Sequence, residues 1–358
     1  MKPTYDDLLL ALRAPQRMAF FSLGQWDGIV RLARAAGLLG RLGALVSRYG
    51  LAQSLPQAAW HALEAGLTIA DRQAMAVNYE LNKLDAALER LGVPVLVLKG
   101  AAYVASGSSA AGGRMMSDID IMVSKQSIHE TESALMQAGW NSSQIDAYDQ
   151  RYYRQWMHEI PPMRHIRRGT ILDVHHNLLP ETARIKTKPD LIIAAARPLP
   201  GMRCLCIPAE SDLILHSATH LMHEGEWEHG LRDLADLHAL ITSACAARVD
   251  FWTELAMRAR ELNLERPLHY ALVHLSRLFR IDIPPLSLAH PGPVVDIITN
   301  TLLARGFSSF HPACRLPGTP LASFLLYIRS HWLRMPLPLL LPHLVHKTLS
   351  KPSAKDVP

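Results

Sequence analysis

The sequence predicts an α+β protein in which a small mixed β-sheet is flanked by N- and C-terminal helical regions. Three observations carry this prediction. Apolar residues recur at three- and four-residue steps over residues 5–90 and again from about Glu210. Between these stretches, VPVLVLKG is a continuous valine-rich run closed by glycine, the pattern of a buried strand. Soon after it, SDIDIMV alternates with a two-residue period, as a strand with two unlike faces does. The expected organisation is a helical region over 1–92, a core over 93–208, a second helical region over 209–335 and a proline-rich tail over 336–358.

Element by element, Trp26, Ile29, Val30, Leu32 and Ala33 begin an apolar helical stripe that continues through Leu38, Leu39, Leu42 and Leu45. A second helical run from Leu55 to about Arg90 carries Leu81, Leu84, Ala87 and Leu88 on one face, and Gly92 and Pro94 stop it. After the VPVLVLKG strand, AAYVASGSS suits a short helix and Gly112-Gly113 a break. In SDIDIMV, Ile119, Ile121 and Val123 share one face, and Asp118, Asp120 and Met122 the other. SIHETESALMQAGW is an amphipathic helix ended by Gly139, with Ser127 and Glu130 spaced as a capping box. YYRQWMHEIPPMRH and RRGTILDVHHNL read as two strands joined near Arg168-Gly169. Helical patterning then returns in SDLILHSATHLMH, WEHGLRDLADLHALIT, FWTELAMRARELN and PLHYALVHLSRLF.

With 358 residues, 49% of them apolar and 19% charged, the chain is long enough for a sizeable core and unlike a disordered one. The net charge of +5 suits an anionic partner such as an NTP or RNA without selecting one. Cys204, Cys206, Cys245 and Cys314 are too few and scattered for a disulfide framework, and reduced thiols in a cytoplasmic protein are expected. The acidic N-terminus does not resemble a signal peptide. No apolar stretch reaches the roughly 18–20 residues of a membrane span. LRMPLPLLLPHLVHK comes nearest but is broken by Pro336, Pro338 and Pro342.

The chemistry is concentrated in Ser117-Asp118-Ile119-Asp120-Ile121. Carboxylates two apart on a strand project from the same face, roughly 6–7 Å apart at their origins. Two ionised acids that close repel one another unless a cation lies between them. Magnesium, a hard ion bound by one or two carboxylates plus substrate phosphates, answers that need. Upstream stand Lys99-Gly100 at a strand end and the Gly112-Gly113-Arg114 turn, where glycine permits close approach to a phosphate. Downstream, Asp173 sits on a strand between apolar neighbours and suits a third ligand or a base.

Together LVLKG, GGRMMSDIDIMV, the helix ending AGW and ILDVHHNL resemble the uncharacterised nucleotidyltransferase family of the DNA polymerase β superfamily. The likeness is densest over about 95–180, and the helical lead-in with Trp26 and the later LRDLADLHAL extend it to about 20–240. This resemblance implies a polymerase-β-like core, Mg²⁺ (or Mn²⁺ in its place), and an NTP such as ATP as nucleotidyl donor. It leaves the acceptor open among small molecules, proteins and RNA. It implies that Asp118 and Asp120 are the catalytic metal-binding pair and Asp173 the third carboxylate, with Lys99, Gly100, Arg114 and Ser117 on the nucleotide side. Lys99-Gly100 replaces the Gly-Gly or Gly-Ser of the wider superfamily, and Gly100 lies farther from Asp118 than in its minimal members. The alternative is a module that keeps the fold and binds nucleotide without turnover.

Other residues complete the expectations. His175 shares the face of Asp173, as in the family's D-x-H pattern, whereas His176 points away. His216, His220 and His223 share a helix face, as a zinc site would require, but H-E-x-x-H is absent. They are expected to border the cleft or the acceptor, His220 foremost. Asp233 and Asp236 read as a solvated helix face, with Arg232–Asp233 as the other possibility, a piece of cleft wall. Arg164, Arg167 and Arg168 read as a solvated hairpin.

Overall fold

The computed structural model describes residues 3–142, 153–154 and 156–336. Four helices come first: α1 (Pro3–Arg13), α2 (Leu23–Ala35), α3 (Leu39–Arg48) and the long α4 (Gln57–Leu88). Strands and short helices follow: β1 (Val95–Val97), α5 (Lys99–Ala105), β2 (Asp118–Met122), α6 (Ile128–Gln137), β3 (Trp140–Ser142), β4 (Met163–His165), β5 (Ile171–His175), α7 (Pro189–Ala194), β6 (Arg197–Pro198) and β7 (Leu205–Ile207). Then come α8 (Glu210–His223), α9 (Gly230–Ala247), α10 (Phe251–Glu261), α11 (Glu265–Phe279), α12 (Pro293–Gly306) and α13 (Thr319–Arg334). The expected α+β class is therefore observed: among the described residues, seven strands in the order β3-β4-β5-β2-β1-β7-β6 form one mixed sheet between helices.

Strand position explains sequence texture. β1 is interior, antiparallel to β2 and parallel to β7, and all three of its side chains are buried, hence the unbroken apolar run. β2 runs parallel to β5 over five residue pairs, which places Asp120 opposite Asp173 and Met122 opposite His175. Ile119, Ile121, Leu172 and Val174 sink into the core and fix this register, because a one-residue slip would send the aspartates there instead. β4 and β5 are antiparallel and joined where the sequence suggests, around Gly169, whose φ of +73° suits glycine. The first arm is shorter than expected; of that run, Tyr152 and Gln155 lie outside the described residues, and Glu159 rejoins the sheet as a bridge to His175.

Two local expectations are corrected. A 3₁₀ turn over Lys125–Ser127 leads directly into α6, so Ser127 already has helical φ and ψ and its side chain caps nothing. Its hydroxyl pairs with that of Ser124 instead. The capping box in this chain is Ser22–Gln25 at the start of α2, an S-x-x-Q pattern present in the sequence. The close approach that Gly113 allows is to a helix: a Cβ there would stand 2.0 Å from the carbonyl oxygen of Gly40 in α3, and its φ is +66°. The Gly112-Gly113 turn thus locks the site loop onto the N-terminal helices.

Cys204 and Cys206 belong to the β7 segment, where the backbone N–H groups of Arg203, Cys204 and Leu205 donate to the buried Asp85 of α4. All four cysteines are free thiols. Among the described residues no helix is long and apolar enough to cross a membrane. The proline-rich tail expected from 336 onward falls, beyond Pro336, outside the described residues.

Candidate active site

The N-terminal half of β2, the start of α5 and the end of β5 meet at a cavity of about 480 Å³. Helix α8, the N-terminal turns of α9 and the last residue of α13 form the opposite wall. Asp118, Asp120, Asp173, Lys99, Gly100, Arg114, Ser117, His175, His220 and Asp233 all line this cavity, whereas His216, also expected at the cleft, does not.

Asp120 is the hub. It is 4% exposed, and its Oδ1 accepts from Lys99 Nζ at 2.7 Å and lies 3.0 Å from His175 Nε2. Burial alone would raise its pKa, but Lys99 and His175 together hold the carboxyl well below the usual range. Lys99 starts α5 with φ at +45°, a backbone setting uncommon for a residue bearing Cβ. Burial would drive its ammonium toward neutrality, and Asp120 more than reverses this. His175 continues the chain of contacts, its Nδ1 standing 3.2 Å from Glu159 Oε2. Burial disfavours its charged form, yet the contacts with Asp120 and Glu159 raise its pKa.

Asp173 has the opposite environment. Its Oδ1 is buried with no hydrogen-bond partner among the described residues. Burial first, then the charges of Asp120 and Glu159, push its pKa up to about 7. A folded-state pKa above the ordinary 3.8 means that the native protein holds this proton more tightly than the unfolded chain. Stability from this group is therefore full in acid and is lost as pH rises from about 4 through about 7. Asp173→Asn is expected to stabilise the ligand-free protein at pH 8 by a few kcal/mol and to leave it nearly unchanged at pH 4. Urea unfolding at both pH values checks this; equal effects at the two would contradict it.

An unpartnered buried carboxylate oxygen, in register with a second carboxylate and near a third at Asp118, is what a hard divalent cation needs. The donor set fits Mg²⁺. Asp118 is partly exposed, its Oδ1 accepting from Ser117 Oγ at 3.2 Å. Among the described residues, His158, Glu159 and His175 also bring possible ligand atoms within 4.8 Å of one another. Neither His158 nor Glu159 is singled out from sequence, because HEIPP has no metal-ligand spacing to mark it.

Arg114 is anchored more firmly than expected. Its Nε donates to Asp236 at 2.6 Å, Asp233 lies at 3.7 Å, and its guanidinium stands over the Tyr103 ring. Asp236 is 2% exposed and also pairs with buried Arg41 of α3, which corrects the reading of Asp233–Asp236 as a solvated face. Arg232 pairs with Asp233 at 2.9 Å on the cavity wall. A Cβ at Gly100 would stand 2.4 Å from the Arg114 guanidinium and 2.8 Å from Met116, so a larger residue there would displace those side chains.

Among the described residues, the histidines of α8 do not form a metal-ligand cluster. His223 Nδ1 bonds the Thr219 carbonyl of its own helix, His216 is buried, and His220 faces Glu224 at 3.7 Å. In the basic hairpin, Arg168 is not simply solvated: it bonds buried Glu80 of α4 and lies over the Trp140 ring.

A family model described as uncharacterised nucleotidyltransferase matches residues 22–280. No curated protein matches the chain.

Proposed function

The chain belongs to the uncharacterised nucleotidyltransferase family, and on that premise we propose that it transfers an NMP from an NTP to an acceptor, with Mg²⁺ as cofactor. The observation that carries this reading is the parallel register of β2 and β5, which sets Asp120 beside Asp173 in one cavity with Asp118, Lys99 and Arg114. Magnesium held by Asp118, Asp120 and Asp173 would supply charge neutralisation and orientation at the transferring phosphate.

The chain's own residues do the rest. Lys99 and Arg114, fixed by Asp120 and Asp236, keep positive charge at set points on the nucleotide side, so little reorganisation is needed when phosphate charge arrives. Ser117 and the backbone at Gly100 border the same side. Asp173, whose carboxyl lines the same cavity, is the group suited to receive the acceptor's proton. In the proposed reaction the acceptor oxygen forms a bond to the α-phosphorus. The bond from that phosphorus to the bridging oxygen breaks, and pyrophosphate departs. On the other wall, His220, His223 and Asp233 border the space left for the acceptor.

The test uses a cell extract, the purified protein and NTPs labelled at the α or the γ phosphate. Mg²⁺-dependent transfer of the α label to one class of molecule is expected, with γ label appearing only in pyrophosphate. Transfer of γ label to an acceptor, or no transfer of either, would overturn the reading.

A further inference from the structure

The matched region ends at residue 280, yet the cavity does not. Arg334, the last residue of α13, lines it. The end of this helix is fastened to the segment after β5. The hydroxyl of Thr182 donates to the Arg334 carbonyl at 2.7 Å, and the Arg184 amide donates to the Leu333 carbonyl at 3.0 Å. Arg184 also donates to the Trp332 carbonyl at 3.1 Å and stacks 3.9 Å from that ring. Arg334 is thus delivered to the cavity by a pinned helix end rather than by a loose terminus.

Its charge differs in availability from the other cations that line the cavity. Lys99 is held at 2.7 Å by Asp120, Arg114 at 2.6 Å by Asp236, and Arg232 at 2.9 Å by Asp233. Arg334 has Glu224 at 3.8 Å, beyond hydrogen-bond distance, and is 27% exposed. A triphosphate brings several negative charges, and a planar guanidinium with open donors is well suited to bind its oxygens. Lys99 and Arg334 line the same cavity, together with His158 and His220.

We propose that Arg334, carried by the part of the chain beyond the family match, binds the β- and γ-phosphates of the NTP and so makes α13 part of the nucleotide site. This rests on the nucleotidyl-transfer reading above. The full-length protein is titrated calorimetrically with Mg²⁺·NTP and with the corresponding NMP. Arg334→Gln is expected to weaken NTP binding about 10- to 100-fold, as loss of a charge-assisted contact does, and to leave NMP binding essentially unchanged. Arg334→Lys should restore part of the loss. Glu224→Gln, which removes the nearest carboxylate, should bind NTP at least as tightly as wild type. Equal NTP affinity of wild type and Arg334→Gln, or equal losses for NTP and NMP, would overturn the inference while the functional reading stands. A loss in Glu224→Gln matching that in Arg334→Gln would overturn it too, by showing that the pair matters and not a free cation. Absence of NTP binding by the wild type would overturn both.

Discussion

Asp236→Ala is expected to cost about 3–5 kcal/mol of folding stability, the range for removing one partner of a buried charge cluster. The carboxylate is enclosed by Arg41 and Arg114, which come from α3 and from the turn before β2. Burial holds the Arg41 pKa below the ordinary arginine value despite Asp236, so its charge is already costly where it lies. Arg41 would keep the carbonyls of Ser109 and Ala110, but Arg114 would keep only Asp233 and the Tyr103 ring. Urea unfolding measures the loss. Arg41→Met in the Asp236→Ala background should recover part of it, because one uncompensated charge is then removed. A loss below about 1 kcal/mol, the scale of an exposed pair, would contradict this account. Weaker NTP binding is expected alongside, since Arg114 would no longer be fixed in the cavity wall.

The second large effect belongs to Asp120→Asn, which keeps the shape and removes the charge. Lys99 and His175 then face an amide in a buried setting, and a stability loss of roughly 3 kcal/mol is expected at neutral pH. The sign of its pH dependence is fixed by the lowered pKa of Asp120. Its stabilisation is full above the ordinary carboxylate value of 3.8 and is lost as pH falls through the lower folded value. The gap between variant and wild type should therefore be widest near neutrality and should close in strong acid. Unfolding series at several pH values measure it, and a gap that widens in acid would contradict the assigned pair. Lys99→Met in the Asp120→Asn background should narrow it at pH 7.

What was legible in the sequence depended on periodicity. The β1 run and the alternation in SDIDIMV announce strands because burial on two faces, or on one, leaves a direct trace in residue type. The helices likewise show their stripes. The strands β3, β6 and β7 span two or three residues each, too short for any period to register. In the site, the spacing of Asp118 and Asp120 and the apolar flanks of Asp173 were sufficient to draw attention to all three. The register that brings Asp120 opposite Asp173 is a long-range property that no local pattern encodes. The same holds for Asp236, whose partners lie 195 and 122 residues away. Read on its own helix it looks solvated; only the arrival of α3 and the Gly113 turn buries it. Arg334 was out of reach for a similar reason, since its helix reaches the cavity through contacts with Thr182 and Arg184.

The central claim is that Asp118 and Asp120 bind the metal–nucleotide donor. Its most direct measurement is calorimetric titration of NTP, with and without Mg²⁺, into wild type and into Asp118→Ala/Asp120→Ala, with folding of the double variant verified by circular dichroism. The account predicts Mg²⁺-dependent binding by the wild type and its loss in the folded double variant. Equally tight Mg²⁺·NTP binding by both proteins would contradict it.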